Sequence, residues 1–264
     1  MERGIVWQYV AAHWPRYAFL YGGMVVAALA IGVSGMRGWF SFVLLGLAVL
    51  LGCAFFLGMN LWAVVRLYGR NGIRPHHALF DLGRIQSHEE IVYIDLGSRY
   101  QPISLSRRLT TGRITVVDVY NPQWTEQKRP ARQISPPAGD PRLVWVDGDI
   151  HLLPFPDGAV AHVMLCEVLS PFWQHGDRLI LLKEIRRILK PQGQLLIAEK
   201  CRTTNQWLVN GPAALGIPTQ NYWEALFREA GFRIRKTENK AGLISCWRLS
   251  KPTYREARQL AFDL

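Results

Sequence analysis

The residues best placed to do chemistry are three carboxylates. Asp95 ends the run I-V-Y-I-D-L-G at 91–97, Asp118 ends R-I-T-V-V-D at 113–118, and Asp149 follows L-V-W-V at 143–146. Short apolar runs that stop at a carboxylate or turn residue read as buried parallel strands. The carboxyl ends of such strands are where an open α/β sheet takes its ligand. An acid one strand over from a glycine turn can accept two ribose hydroxyls, and a third acid can accept an exocyclic amine. A single Asp more often caps a turn. Three at successive strand ends point to a ligand.

The elements that must position these acids alternate along the chain. Strands are expected at Ile91–Asp95, Arg113–Asp118, Leu143–Val146, Ala159–Leu165, Gln194–Ala198, Phe232–Thr237 and Leu243–Leu249. Ser104–Leu109 is a short helix candidate. Asp177–Lys190 carries Leu181, Leu182, Ile185, Ile188 and Leu189 at helical spacing, with Asp177 placed to cap it and Pro191 and Gly193 to stop it. Asn221–Ala230 is a helix closed by Gly231. Residues 119–141 hold five prolines and read as loop. The last two strands are joined by so short a turn that they must pair antiparallel. The fold class is therefore α/β, a Rossmann-like seven-stranded sheet, mostly parallel with its last strand antiparallel.

Ahead of the sheet the chain changes character. Before Arg66 the only charged residues are Glu2, Arg3, Arg16 and Arg37. Tyr17–Met36 gives 20 uncharged residues and Gly38–Val65 gives 28. Twenty helical residues span about 30 Å, the thickness of a bilayer core. Gly35-Met36-Arg37-Gly38 is a tight turn between them, so the pair reads as a two-helix transmembrane hairpin. It is too long, and too soon followed by a second span, for a signal peptide. Trp7, Tyr9, Trp14 and Tyr17 suit the membrane–water interface. Arg3, Arg16, Arg66, Arg70 and Arg74 flank the hairpin and place both ends in the cytoplasm. Glycines 22, 23, 32, 46, 52 and 58 either permit close helix packing or are ordinary membrane glycines. The domain organisation is 1–74 hairpin with interfacial flanks, 75–90 linker and 91–264 sheet domain. Gly69, Asn71-Gly72 and Pro75 interrupt any helix in the connection.

Of the net charge of +11, +9 falls after residue 65. Beside a hairpin this fits an anionic bilayer surface, which attracts each nearby Lys or Arg by roughly 1 kcal/mol, better than it fits nucleic acid. His76-His77 lacks neighbouring ligands and reads as an exposed or interfacial pair. Cys53, Cys166, Cys201 and Cys246 show no metal spacing. The last three read as buried free thiols, and neither zinc nor disulfides are expected.

Two longer stretches carry a resemblance. Gly148–Leu169, G-D-I-H-L-L-P-F-P-D-G-A-V-A-H-V-M-L-C-E-V-L, resembles the GD-x-x-x-LPF-x-D-x-x-FD segment of class I S-adenosylmethionine-dependent methyltransferases. Leu182–Ala198, L-K-E-I-R-R-I-L-K-P-Q-G-Q-L-L-I-A, resembles their E-x-x-R-V-L-K-P-G-G helix and strand. Within the family the similarity is to the quinone-biosynthesis branch, and it covers about residues 88–250. The resemblance implies S-adenosylmethionine as cofactor. Asp95, Gly97 and Ser98 would lie around its methionine part, Asp118 would hold the ribose hydroxyls, and Asp149 with Ile150 would contact the adenine. The first motif is degenerate: where the family has D-x-G-x-G-x-G, this chain reads D-L-G-S-R-Y-Q, with Arg99 in a glycine position. Its guanidinium must point away or pair with Asp95 or Asp118. His162 and Gln192 replace an Asp and a Gly of the later motifs.

The function this implies is a membrane-anchored methyltransferase acting on a lipophilic small molecule such as a quinone precursor, lipid or pigment. Glu167 and His175, in the loop after strand four, are the candidate bases. Phe172, Trp173, Trp207, Tyr222 and Trp223 are candidates for an apolar pocket. The alternative is an inactive methyltransferase-like subunit that assembles with other membrane protein subunits. Nucleic acid is the least supported partner.

Overall fold

The computed structural model describes residues 14–69, 71–125, 140–253 and 256. The expectations for Trp7, Tyr9, Arg3, Arg70 and the greater part of the 119–141 loop lie outside the described residues. The chain divides into two compact units: Met1–Arg74 with Thr203–Gly216, and Pro75–Arg202 with Ile217–Leu264.

The second unit holds the sheet. Its strands are β1 (Ile91–Asp95), β2 (Ile114–Asp118), β3 (Leu143–Asp147), β4 (Val160–Cys166), β5 (Leu189–Glu199), β6 (Arg233–Lys240) and β7 (Ile244–Ser250). They lie in the order β3-β2-β1-β4-β5-β7-β6. Only β7 runs against its neighbours, pairing antiparallel with both β5 and β6. All five residues of β1 are buried. That suits an interior strand of a sheet covered on both faces, where side chains of either parity meet apolar neighbours.

The helix after β4 spans His175–Ile188, two residues earlier at each end than its apolar stripe suggests. Leu181, Leu182, Ile185 and Ile188 are fully buried. Gln174 occupies the N-cap without a side-chain bond, so Asp177 is not the cap. It sits inside the first turn, where its charge faces the positive end of the helix dipole. Nor do Pro191 and Gly193 lie between elements. Strand β5 begins at Leu189, and its pairing with β4 jumps from Val160↔Leu189 to His162↔Gln194. The four residues Lys190–Gly193 are looped out as a bulge. A Cβ at Gly193 would lie 2.8 Å from the Leu189 side chain and 3.0 Å from the Ala161 carbonyl, which requires glycine there.

The helix Gln220–Glu229 ends as its sequence suggests. Gly231 is left-handed at φ +81°. The N–H of Phe232 donates to Phe227 O and that of Gly231 to Arg228 O, both at 2.9 Å, a Schellman closure. One helix of the connection was not anticipated. Pro75–Gly83 is helical, because Pro75 at its first position pre-sets φ and Leu79, Phe80 and Leu82 are buried. This also overturns the reading of His76 as exposed. It is 1% exposed, with its ring 4.4 Å from that of His77. No cluster of metal-ligating side chains occurs among the described residues. Cys166, Cys201 and Cys246 are buried free thiols.

The first unit contains α1 (Trp14–Met36) and α2 (Phe40–Tyr68), both long and apolar enough to cross a membrane. Gly38, at φ +73°, turns the chain between them. Of the two readings of the glycines, close packing holds for two. A Cβ at Gly46 would lie 2.7 Å from Ile31, and one at Gly23 would lie 3.2 Å from Cys53 Sγ. Glycines 22, 32, 52 and 58 have nothing within 4 Å.

The unit is completed by residues from far along the chain. A short helix, α3 here (Thr204–Asn210), packs against α2, and a 3-10 turn (Gly211–Gly216) packs on α3. Thr203 caps α3 by accepting from the N–H of Gln206 at 3.2 Å. Asn60, 5% exposed, donates from Nδ2 to the Val209 carbonyl at 2.6 Å. Gly211 follows at φ +55°, and a Cβ there would lie 3.0 Å from the Phe56 ring. Gly211→Ala is therefore expected to lift this segment from α2, through both backbone strain and contact. Limited proteolysis of the full chain in detergent should cut within 203–216 several-fold faster than in the wild type.

Candidate active site

The site is built where the strands end. Parallel register places Asp95 of β1 beside Asp118 of β2, and Asp118 beside Asp147 of β3. The alignment continues past the strands: Val119 N–H donates to Asp95 O at 3.0 Å and Gly148 N–H to Asp118 O at 2.9 Å. The loops after β1, β2 and β3 therefore lie side by side.

Asp95 organises the first loop. Its carboxylate is buried and accepts from Ser98 Oγ at 2.8 Å and from the N–H of Arg99 at 2.9 Å. Burial pushes its pKa up, and these two bonds oppose the rise. To close so tight a turn, Gly97 takes φ +85° and Arg99 takes φ +56°. Arg99 does not insert between the acids: its guanidinium lies 5.2 Å from the centre of the Trp145 ring. A seven-residue helix, Tyr100–Ser106, follows, four residues ahead of the start expected for it.

Asp118 is half-buried and accepts from the N–H of Tyr120 at 3.0 Å. Asp149 stands apart from the aligned pair. It is exposed, two residues beyond the register-matched Asp147, and accepts from both the N–H and the ring Nδ1 of His151 at 2.8 Å. Those bonds, the backbone one first, hold its pKa below the usual carboxylate range. Ile150 is fully buried, with its side chain in the core, so only its backbone is available to a ligand. Trp124 joins these loops, donating from its indole to Val119 O at 3.0 Å and standing edge-on to His151.

The other side of the site is formed by the ends of β4 and β5. Glu167, just past β4, is left-handed at φ +57°, a strained setting for a residue with a Cβ. Its N–H donates to Ala198 O at 2.8 Å, and its carboxylate pairs with Lys200 at 2.8 Å. His175 is engaged differently. Its two ring nitrogens meet Tyr222 Oη at 3.1 Å and Glu229 at 3.0 Å, tying the helix it begins to the helix Gln220–Glu229. The five aromatic candidates do not form one wall. Phe172 and Trp223 belong to the core, Trp173 is exposed, and Trp207 falls in the other compact unit.

Two residues at the end of β5 escaped the sequence reading. Lys200 is the partner of Glu167. Glu199 is fully buried and accepts from Leu169 N–H at 2.7 Å and Ser170 Oγ at 2.5 Å. Burial raises its pKa to about 7, against the pull of those two bonds. The signal was present as two charged residues directly after L-L-I-A.

Comparison with known proteins agrees with this geometry. Residues 94–197 match the family described as methyltransferase domain. The fold is similar to that of a SAM-dependent methyltransferase from Aquifex aeolicus, at 16% identity and a TM-score of 0.53, covering 66% of this chain and 88% of that one. It is also similar to the [4+2]-cyclase SpnF, at 17% identity and a TM-score of 0.53, covering 71% and 83%. A third likeness is to the pyocyanin biosynthetic protein PhzM, at 14% identity and a TM-score of 0.55, covering 74% and 58%. No curated protein matches the sequence significantly. The sheet is thus a class I methyltransferase fold, and the family match supports a methyltransferase enzyme with S-adenosylmethionine as its cofactor.

The residues present fit that cofactor's chemistry. A half-buried carboxylate at the end of β2 suits a ribose diol, and the left-handed Gly97 loop beside it brings backbone close to a ligand.

Glu199 gives the domain a pH signature. Its folded pKa of about 7 exceeds the ordinary value of 4.5. Between those values the folded state keeps a proton that the unfolded chain has lost, so stability falls as pH rises through the window. The loss is on the order of 3 kcal/mol at most. Thermal melting of the wild type is expected to drop between about pH 5 and pH 7.5, with Glu199→Gln nearly flat over the same range.

Proposed function

We propose that this chain is a membrane-anchored, S-adenosylmethionine-dependent methyltransferase whose acceptor is a lipophilic small molecule of the quinone-precursor, lipid or pigment kind. The observation that carries the reading is the hairpin. Both helices turn large apolar side chains outward along their length, among them Phe19, Leu29, Phe42, Leu44 and Leu51, each more than half exposed. An apolar acceptor dissolved in the bilayer is concentrated where such a hairpin holds the enzyme. Arg66, in the last turn of the second helix, and Arg74, after it, favour a cytoplasmic sheet domain.

In this reading Asp118 holds the ribose hydroxyls and Asp149, with the backbone of Ile150, takes the adenine. Gly97 and Ser98, shaped by Asp95, surround the methionine end. The bound cofactor supplies an electrophilic methyl group on a sulfonium sulfur. What the protein adds is alignment and exclusion of water. Glu167 takes the proton from an oxygen or carbon acceptor, and Lys200 orients its carboxylate. His175, whose ring nitrogens tie two helices together, is the weaker candidate base.

Titration calorimetry of the full chain in detergent tests the cofactor half of the reading. The wild type should bind S-adenosylmethionine, and Asp118→Asn should weaken binding by tenfold or more, since a charge-assisted hydrogen bond contributes about 1.5–3 kcal/mol. No heat at millimolar cofactor would favour the assembly-subunit reading instead. Glu167→Gln should leave binding intact and lower turnover by about a hundredfold or more, the usual contribution of a positioned base.

A further inference from the structure

We propose that residues 203–216 are a third membrane contact of this protein. They form a wedge lying in the boundary between headgroups and acyl chains, with Trp207, Leu208 and Leu215 toward lipid. The proposal rests on the reading of α1 and α2 as a membrane hairpin.

Four observations carry it. First, the segment belongs to the same compact unit as the hairpin, although the sequence inserts it between β5 and β6. Second, its depth follows from where it is attached. Counting about 30 Å of hydrocarbon from Phe40, the start of α2, reaches Met59. Asn60, which holds the Val209 carbonyl, is the next residue, and Trp62 and Arg66 follow it as interfacial residue types. Beyond Met59 the helix also changes surface, with Asn60, Ala63, Val64 and Leu67 forming a buried stripe.

Third, the segment has an apolar outer face. Trp207, Leu208 and Leu215 are 40%, 43% and 60% exposed, while Gln206 and Val209 are buried. Fourth, no charged residue occurs between Arg202 and Glu224, in a chain that is 19% charged. An uncharged stretch with an outward tryptophan and leucines, fixed at the end of a bilayer-length span, fits the lipid interface. The excursion is also pinched at its base, where Arg202 N–H donates to Pro218 O at 2.9 Å and Arg202 Nε to Ile217 O at 3.0 Å.

The test uses the full chain with Cys53→Ser, reconstituted into phosphatidylcholine–phosphatidylglycerol vesicles. An environment-sensitive fluorophore is placed by Trp207→Cys or Leu215→Cys, with Leu51→Cys, exposed and about halfway along the bilayer-length part of α2, as the reference site. Lipids brominated near the headgroup or near the chain end serve as quenchers. The proposal expects the 207 and 215 probes to be more than halved by shallow bromines and little affected by deep ones, with the 51 probe quenched by deep bromines. If the 51 probe is quenched by deep bromines while 207 and 215 are quenched by neither lipid, the wedge is refuted and the hairpin stands. If the 51 probe is also unquenched, the hairpin reading fails and takes the wedge with it. Leu215, the more exposed site, keeps the test decisive if loss of the Trp207 ring disturbs the helix.

Discussion

The sheet domain's functional edge depends on one buried charge-bearing group being satisfied within its own loop. Asp95 lies at the end of a fully buried strand, where an unpaired carboxylate would cost several kcal/mol. It is satisfied by Ser98 and by the backbone of Arg99, which requires the chain to fold back within four residues. That requirement forces left-handed backbone at Gly97 and Arg99 and starts the next helix at Tyr100. Strand register then sets Asp118 beside this loop. A buried acid that shapes backbone and a half-buried acid that keeps part of its surface open to solvent stand side by side, told apart by burial.

Arg99 shows how a glycine position can be filled by a long cation. A residue with a Cβ in the left-handed region is strained by roughly 1–2 kcal/mol. Its backbone N–H serves Asp95 as a glycine's would, and its side chain rests on the face of Trp145. A cation over an aromatic face recovers about 0.5–2 kcal/mol. The guanidinium is thereby drawn to β3, so the motif's departure is accommodated by an aromatic partner two strands away.

The strands, their mixed direction and the Gly231 helix stop were legible because each is set by local periodicity or by a single backbone requirement. The helix Pro75–Gly83 was obscured by the turn residues around it, and the start of β5 by Pro191 and Gly193, which lie in a bulge within the strand. Asp149 illustrates a different limit. Sequence places it after a strand, but only register shows that Asp147 is the residue aligned with Asp95 and Asp118. Glu199 and Lys200 were hidden because their partners, Ser170 and Glu167, come from another strand's loop. The hydrogen bond from Asn60 to Val209 spans 149 residues, and no local pattern announces it.

That long separation has a consequence for biosynthesis. The hairpin leaves the ribosome early, and the segment that completes its unit is made only after most of the sheet. At about 5–20 residues per second the interval is on the order of ten seconds. During that time the Asn60 amide and the Phe56 ring lack the docking partner they have in the finished protein. The hairpin unit therefore matures in two stages, and a nascent-chain chaperone would meet it half-built.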